Sequence, residues 1–252
     1  MSNNQPLQHD AIVLTGTSIT GQAQSQIEAL GGEALHLPLI EVADVQSNDD
    51  GLFLQRSQQV DWLIFTSQNA VHAFIRKMEQ YEQDASLWIE QRIAVVGEKT
   101  AEALEMAGFS IHFVPTTYSA DTMVKEFNRF LQPETTCLFM RGSMAKDTIP
   151  NGLKCRVETW TIYETRPTKK SIPELKEQIQ HKNCTVVFAS PSAVRVYAEE
   201  ILPLHDWDQI QVAAIGHVTE KALIALGAWD IIQPKTYTMQ QVIEEIARRK
   251  ES

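Results

Sequence analysis

The chain has 252 residues, 43% of them hydrophobic, which suits a globular protein of two domains of roughly 100–150 residues each. Its net charge of −10 disfavours broad attraction to nucleic acid or to an anionic membrane surface. No apolar run approaches the roughly 20 residues of a membrane helix. The start, Met1-Ser-Asn-Asn-Gln-Pro6, lacks the basic and apolar stretches of a signal peptide, so a cytoplasmic protein is expected.

In chain order, Ala11–Thr15 is predicted as a strand, Gly16–Gly21 as a polar turn, and Gln22–Leu30 as a helix closed by Gly31-Gly32. Ala34–Leu37 is a second strand, Pro38–Val42 continues extended, and Asp44–Asp50 is loop. Three strand–helix units follow: Trp62–Phe65 with Asn69–Tyr81, Arg92–Val96 with Glu98–Ala107, and Ile111–Val114 with Ala120–Leu131. Thr136–Met140 is a strand ending in Arg141-Gly142, and Asn151–Thr165 is strand-rich. The alternation resumes with helix Ile172–Gln180, strand Thr185–Ala189, helix Pro191–Leu202, strand Val212–Ile215, helix Val218–Leu226, strand Asp230–Ile232 and helix Met239–Arg249. Short apolar strands between helices predict an α/β protein with two doubly wound parallel-sheet domains.

The second half has no strand pair to open its sheet, and Ala11–Thr15 with Ala34–Leu37 can supply it. The expected organisation is one discontinuous domain of residues 1–37 plus 167–252. Residues 42–160 form an inserted domain, and 38–41 and 161–166 pair as a two-stranded β linker.

The two halves echo one another. Val212-Ala-Ala-Ile-Gly216-His-Val-Thr219 repeats Ile93-Ala-Val-Val-Gly97-Glu-Lys-Thr100 at an offset of 212 − 93 = 119, which also carries Gly108 onto Gly227, Pro115 onto Pro234 and Tyr118 onto Tyr237. Upstream, Trp62-Leu-Ile-Phe-Thr-Ser67 matches Thr185-Val-Val-Phe-Ala-Ser190. The two units are expected to face each other with the same kind of strand-end loops.

Ligands of open α/β sheets bind beyond the carboxyl ends of the strands, where helix N-termini present free N–H groups to anions. The residues at these ends are Thr66, Ser67 and Asn69; Gly97 and Thr100; Tyr118 and Ser119; Arg141 and Gly142; Ser190 and Ser192; Gly216 and Thr219; and Tyr237. Any one hydroxyl here is more simply a helix cap. Recurrence in both halves favours a binding surface, because capping needs neither the matched glycine nor the matched tyrosine. Arg141 suits an anion or an ion pair equally. Tyr163, in the inferred linker, is either a packing aromatic or a proton donor and acceptor at a site. His217, at a helix start, is expected to be structural. No phosphate-binding glycine motif and no nucleophile elbow is present. The 3 cysteines and 7 histidines show no metal-ligand or disulfide spacing.

The ordered set Phe65-Thr-Ser-Gln-Asn-Ala-Val71, Val95-Val-Gly97 with Thr100 and Ala103-Leu104, Pro115 with Tyr118-Ser-Ala-Asp121, Met140-Arg-Gly142, Tyr163-Glu-Thr165, Phe188-Ala-Ser-Pro-Ser-Ala-Val194, Ala214-Ile-Gly216 with Thr219, and Pro234 with Tyr237-Thr238 resembles the uroporphyrinogen-III synthases over essentially the whole chain. One departure is clear: the family's first strand commonly ends Thr-Arg-Pro, and here it reads Thr15-Gly16-Thr17. The resemblance implies two α/β domains on a two-stranded linker and a monomeric, cofactor-free lyase of tetrapyrrole biosynthesis. Such an enzyme closes the linear tetrapyrrole hydroxymethylbilane to uroporphyrinogen III, losing water and inverting ring D through a spiro intermediate. It implies Tyr163 as the group assisting hydroxide departure, the strand-end residues as substrate ligands, and transient contact with hydroxymethylbilane synthase. The missing arginine favours the rival reading, a non-catalytic two-lobed module binding a small polyanion.

Overall fold

The computed structural model describes residues 5–88, 90–181 and 183–251. In chain order its elements are β1 (Asp10–Leu14), α1 (Gly21–Ala29), β2 (Glu33–His36), β3 (Ile40–Asp44), α2 (Asp50–Ser57), β4 (Trp62–Phe65), α3 (Gln68–Gln80), β5 (Arg92–Val95), α4 (Glu98–Met106), α5 (Ala120–Phe127), β6 (Thr136–Gly142), α6 (Thr148–Gly152), β7 (Arg156–Pro167), α7 (Ile172–His181), β8 (Asn183–Phe188), α8 (Pro191–Glu200), β9 (Gln211–Ala214), α9 (His217–Ala225), β10 (Ile231–Ile232) and α10 (Met239–Glu251). The chain divides into two units, one running up to Glu41 and resuming at Arg166, the other Val42–Thr165. The divisions fall inside β3 and β7.

The first unit has the sheet β10-β9-β8-β1-β2, with parallel pairing throughout. Numbered along the chain, this is the doubly wound order 2-1-3-4-5, whose topological switch point lies between β1 and β8. Successive residues of β1 serve opposite faces: Ala11 and Val13 join the core under α8, Ile12 and Leu14 the core under α1 and α10. That is the period of two expected of a strand covered on both sides.

The second unit has the order β3-β7-β6-β4-β5, extended beyond β5 by a parallel bridge between Ala94 and Phe113. Taking β6 and β7 as the opening pair gives 2-1-3-4-5 again, so this unit repeats the topology of the other in circularly permuted form. Its switch point lies between β6 and β4. Leu63 and Phe65 face one core, Trp62 and Ile64 the other.

The internal repeat is reproduced in backbone detail. Gly108 and Gly227 both take φ +89, ending α4 and α9 in the left-handed conformation that glycine adopts without a Cβ penalty. The following N–H groups close the same loop, Phe109 to the Leu104 carbonyl at 3.0 Å and Ala228 to the Leu223 carbonyl at 3.1 Å.

The sequence reading differs from the structure in four places. Ile111–Val114 is only a bridge, because the His112 ring Nδ1 accepts the Ile93 N–H at 3.2 Å and takes a donor a full strand would use. Helix α2 was not expected. It has a weak apolar stripe and is tied from outside by Asp50 to Lys77 and by Ser57 to Trp88. The helix predicted over Ala120–Leu131 ends at Phe127 and continues as a 3₁₀ turn, Asn128–Phe130. The start of the stretch read as strand-rich is α6. Strand β7 neighbours β3 on one side and pairs with β6 from Arg156 to Tyr163 on the other.

Candidate active site

At the switch point of the second unit, β4 ends in Phe65-Thr66-Ser67 and β6 in Met140-Arg141-Gly142. The pairing of β6 with β7 is irregular here: Arg141 lies opposite Thr161 and Gly142 opposite Tyr163, so Ile162 is skipped. Because side chains alternate along a strand, this bulge turns Tyr163 onto the face already used by Trp160 and Ile162, against the core under α3. The half-buried phenol then reaches Ser67, with Tyr163 Oη 3.0 Å from Ser67 Oγ.

Ser67 serves two groups. Its Oγ accepts the Ala70 N–H at 3.2 Å and so caps α3, which leaves its own proton and a lone pair for Tyr163. Ser67→Ala should cost about 1 kcal/mol of stability through the lost cap and lower turnover less than loss of the Tyr163 hydroxyl. Urea unfolding and steady-state rates measure the two effects separately. Thr66 and Asn69 flank this pair, half-buried. Arg141 is engaged by its own turn: it donates to Asp147 Oδ1 at 2.6 Å and to the Ala145 carbonyl, and its guanidinium lies over the Phe139 ring. Its side chain is 13% exposed, so it braces the turn between β6 and α6.

The two glycine turns match. Gly97 (φ −146, ψ 157) and Gly216 (φ −146, ψ 165) precede α4 and α9 and bring no capping side chain. No side chain therefore caps the N–H groups of Glu98 and Lys99 or of His217 and Val218, and the helix dipole favours negative charge there. Beside each glycine stands an exposed aromatic, Tyr118 (59%) at Gly97 and Tyr237 (52%) at Gly216. Thr100 and Thr219 are buried at 5% and 4%, and their N–H groups close onto the glycine carbonyls at 3.0 Å. They support the turns from beneath. His217 is exposed and its ring lies 5.5 Å from that of Tyr237.

The remaining hydroxyls are mostly caps. Ser119 caps α5 by accepting the Thr122 N–H at 3.1 Å, and Ser190 caps α8 through the Ala193 N–H at 3.3 Å. Ser192 accepts from Arg195 at 3.3 Å.

At the switch point of the first unit the sequence offers Ser190 and Ser192 as candidates. Thr15 is buried and donates to the Val187 carbonyl at 2.8 Å, and the His36 ring Nε2 lies 3.0 Å from the Gly16 carbonyl. The signal that could have found His36 is its place at the carboxyl end of a strand beside the first. Among the described residues, no cluster of three or more His, Cys, Asp or Glu could hold a metal ion.

Two doubly wound units of like topology, each with an uncapped glycine turn and a neighbouring tyrosine, and one with a tyrosine–serine pair at its switch point, define a class of duplicated α/β proteins with candidate site residues at the strand ends. The family model described as uroporphyrinogen-III synthase HemD matches residues 21–244, and the chain belongs to the uroporphyrinogen-III synthase family. The uroporphyrinogen-III synthase of Chlorobaculum parvum is 29% identical over 230 residues, spanning 88% of this chain and 91% of that protein. The chloroplastic uroporphyrinogen-III synthase of Oryza sativa is 25% identical over 259 residues, spanning 96% and 81%. The fold is that of the solved uroporphyrinogen-III synthetase of Helicobacter pylori (TM-score 0.61, 17% identity, 93% and 96% coverage) and of the Thermus thermophilus enzyme in a selenomethionine mutant form (TM-score 0.55, 18% identity, 96% and 98% coverage).

Proposed function

We propose that this protein is a lyase that converts hydroxymethylbilane to uroporphyrinogen III, with loss of water and inversion of ring D. The observation that carries the chemical step is the Tyr163–Ser67 contact of 3.0 Å at the switch point of the second unit. A pyrrole nitrogen of the bilane expels the terminal hydroxyl. The Tyr163 phenol donates a proton to the departing oxygen, completing the loss of water, and Ser67 holds that phenol in place. A phenol is a weak acid, but the pyrrole supplies most of the push. The azafulvene is attacked by the substituted carbon of ring D to give a spiro-pyrrolenine, which fragments and re-closes with ring D inverted.

Spontaneous closure gives the uninverted isomer, so the enzyme's main task is to fold the substrate and choose the attacking carbon. The uncapped helix starts at Gly97 and Gly216 and the phenols of the exposed residues Tyr118 and Tyr237 suit carboxylates, offering donors without raising the charge of an acidic chain. Incubation with hydroxymethylbilane, scored for isomer III against isomer I, tests the reading; isomer I alone at the uncatalysed rate would leave the polyanion-binding module in its place. In the same assay Thr219→Ala should impair turnover more than Thr100→Ala. Tyr237 packs closer to its glycine, its ring 3.5 Å from a carbon built on Gly216, against 3.9 Å for Tyr118 at Gly97. The reverse ranking would contradict this assignment.

We place the protein in the cytoplasm as a monomer that meets hydroxymethylbilane synthase transiently. No helix among the described residues is long and apolar enough to cross a membrane. A sedimentation mass of one chain at micromolar concentration checks the oligomeric state.

A further inference from the structure

Gly142 is buried at the end of β6, directly under the Tyr163 ring. A carbon built on its Cα would lie 2.5 Å from Tyr163 Cζ, 2.7 Å from Oη and 2.8 Å from Cε2. Non-bonded carbons do not approach so closely, and the collision falls on the hydroxyl-bearing end of the ring. The ring has little room to yield. Its carbonyl accepts the Ser143 N–H at 3.0 Å, Ile162 before it is fully buried, and its hydroxyl is on Ser67. The comparable turn of the other unit is less constrained, since a carbon on Gly16 would meet the Ala189 Cβ at 3.3 Å and the Ser18 carbonyl oxygen at 3.9 Å.

From this geometry we infer that Gly142 is a positioning residue: its missing side chain lets the bulged β7 lay the Tyr163 phenol across the end of β6 and onto Ser67. Gly142 acts through Tyr163 and not on a substrate carboxylate. The inference rests on the role of Tyr163 stated above. Gly142→Ala pushes the phenol off Ser67, and displacements of about 1 Å in a catalytic group can cost up to about a hundredfold in rate.

The test combines kinetics with hydroxymethylbilane and thermal unfolding. Gly142→Ala should lower kcat about tenfold or more while KM stays within about twofold, because ground-state binding is untouched. Gly142→Ala/Tyr163→Phe should be no slower than Tyr163→Phe, since the hydroxyl being positioned is already gone. A raised KM with kcat intact, or losses that multiply in the double variant, would overturn the inference. In unfolding, Gly142→Ala should lower Tm by about 5 °C, and most of that loss should vanish when Tyr163 is also alanine. If Gly142→Ala does not fold, recovery of a folded Gly142→Ala/Tyr163→Ala protein carries the same information, and equal losses in both backgrounds would refute the collision. Full activity of Tyr163→Phe would remove Tyr163 from the mechanism, and Gly142's part in the reaction with it. Full activity of Gly142→Ala beside an impaired Tyr163→Phe removes only the present inference.

Discussion

Asp50→Ala is expected to destabilise the Val42–Thr165 unit by about 3–5 kcal/mol, the cost of leaving a buried charge without its partner. Asp50 and Lys77 are each 1% exposed and meet at 2.5 Å. Lys77 Nζ also donates to the Val45 carbonyl at 2.7 Å, and Asp50 accepts the Ser47 N–H at 3.1 Å and the Trp160 indole N–H at 3.3 Å. The pair thus joins the end of β3, the start of α2, helix α3 and strand β7. Without the carboxylate, the ammonium stays enclosed with one carbonyl and beside the Trp160 ring. Urea unfolding measures the loss. Replacing both partners with apolar residues of similar volume, Asp50→Leu with Lys77→Met, should cost much less than Asp50→Ala alone, because no charge is left stranded. A double variant as unstable as the single one would show that the hydrogen bonds to Ser47 and Trp160, and not the ion pair, dominate.

Tyr163→Phe is expected to lower turnover about tenfold to a hundredfold, the weak end of general acid catalysis. Phenylalanine keeps the ring over Gly142 and its packing against the core under α3. Only the hydroxyl and its contact with Ser67 are lost. Stability should change by only about 1 kcal/mol, the net value of one hydrogen bond. As the enzymatic step slows, spontaneous closure competes, so isomer I should rise in the product. An unchanged rate of isomer III formation would show that the pyrrole expels hydroxide unaided.

Much of this fold was legible from consecutive residues. The four-residue strand Trp62–Phe65 and helix starts such as those after Ser67 and Ser190 are set by local apolar runs and capping hydroxyls, and the structure shows those caps. Misread stretches depend on distant partners. Helix α2 needs Lys77 and Trp88 to hold its two ends. Arg141 suits an anion or an ion pair equally in the sequence, because nothing there says that Asp147 and the Ala145 carbonyl turn back onto it. Thr100 and Thr219 looked available because a residue three places into a helix can point either way; burial of both was decided by packing.

The amino-acid order by itself determined two parallel-sheet units, the repeat at an offset of 119, and matched glycine–threonine turns, because strand period, capping and left-handed glycine are short-range effects. Tertiary structure alone decided that Tyr163 meets Ser67. That contact spans 96 residues and depends on one skipped residue between β6 and β7. In a ladder of period two, a shift of one residue sends a side chain to the opposite face, and no local signal in β7 announces it.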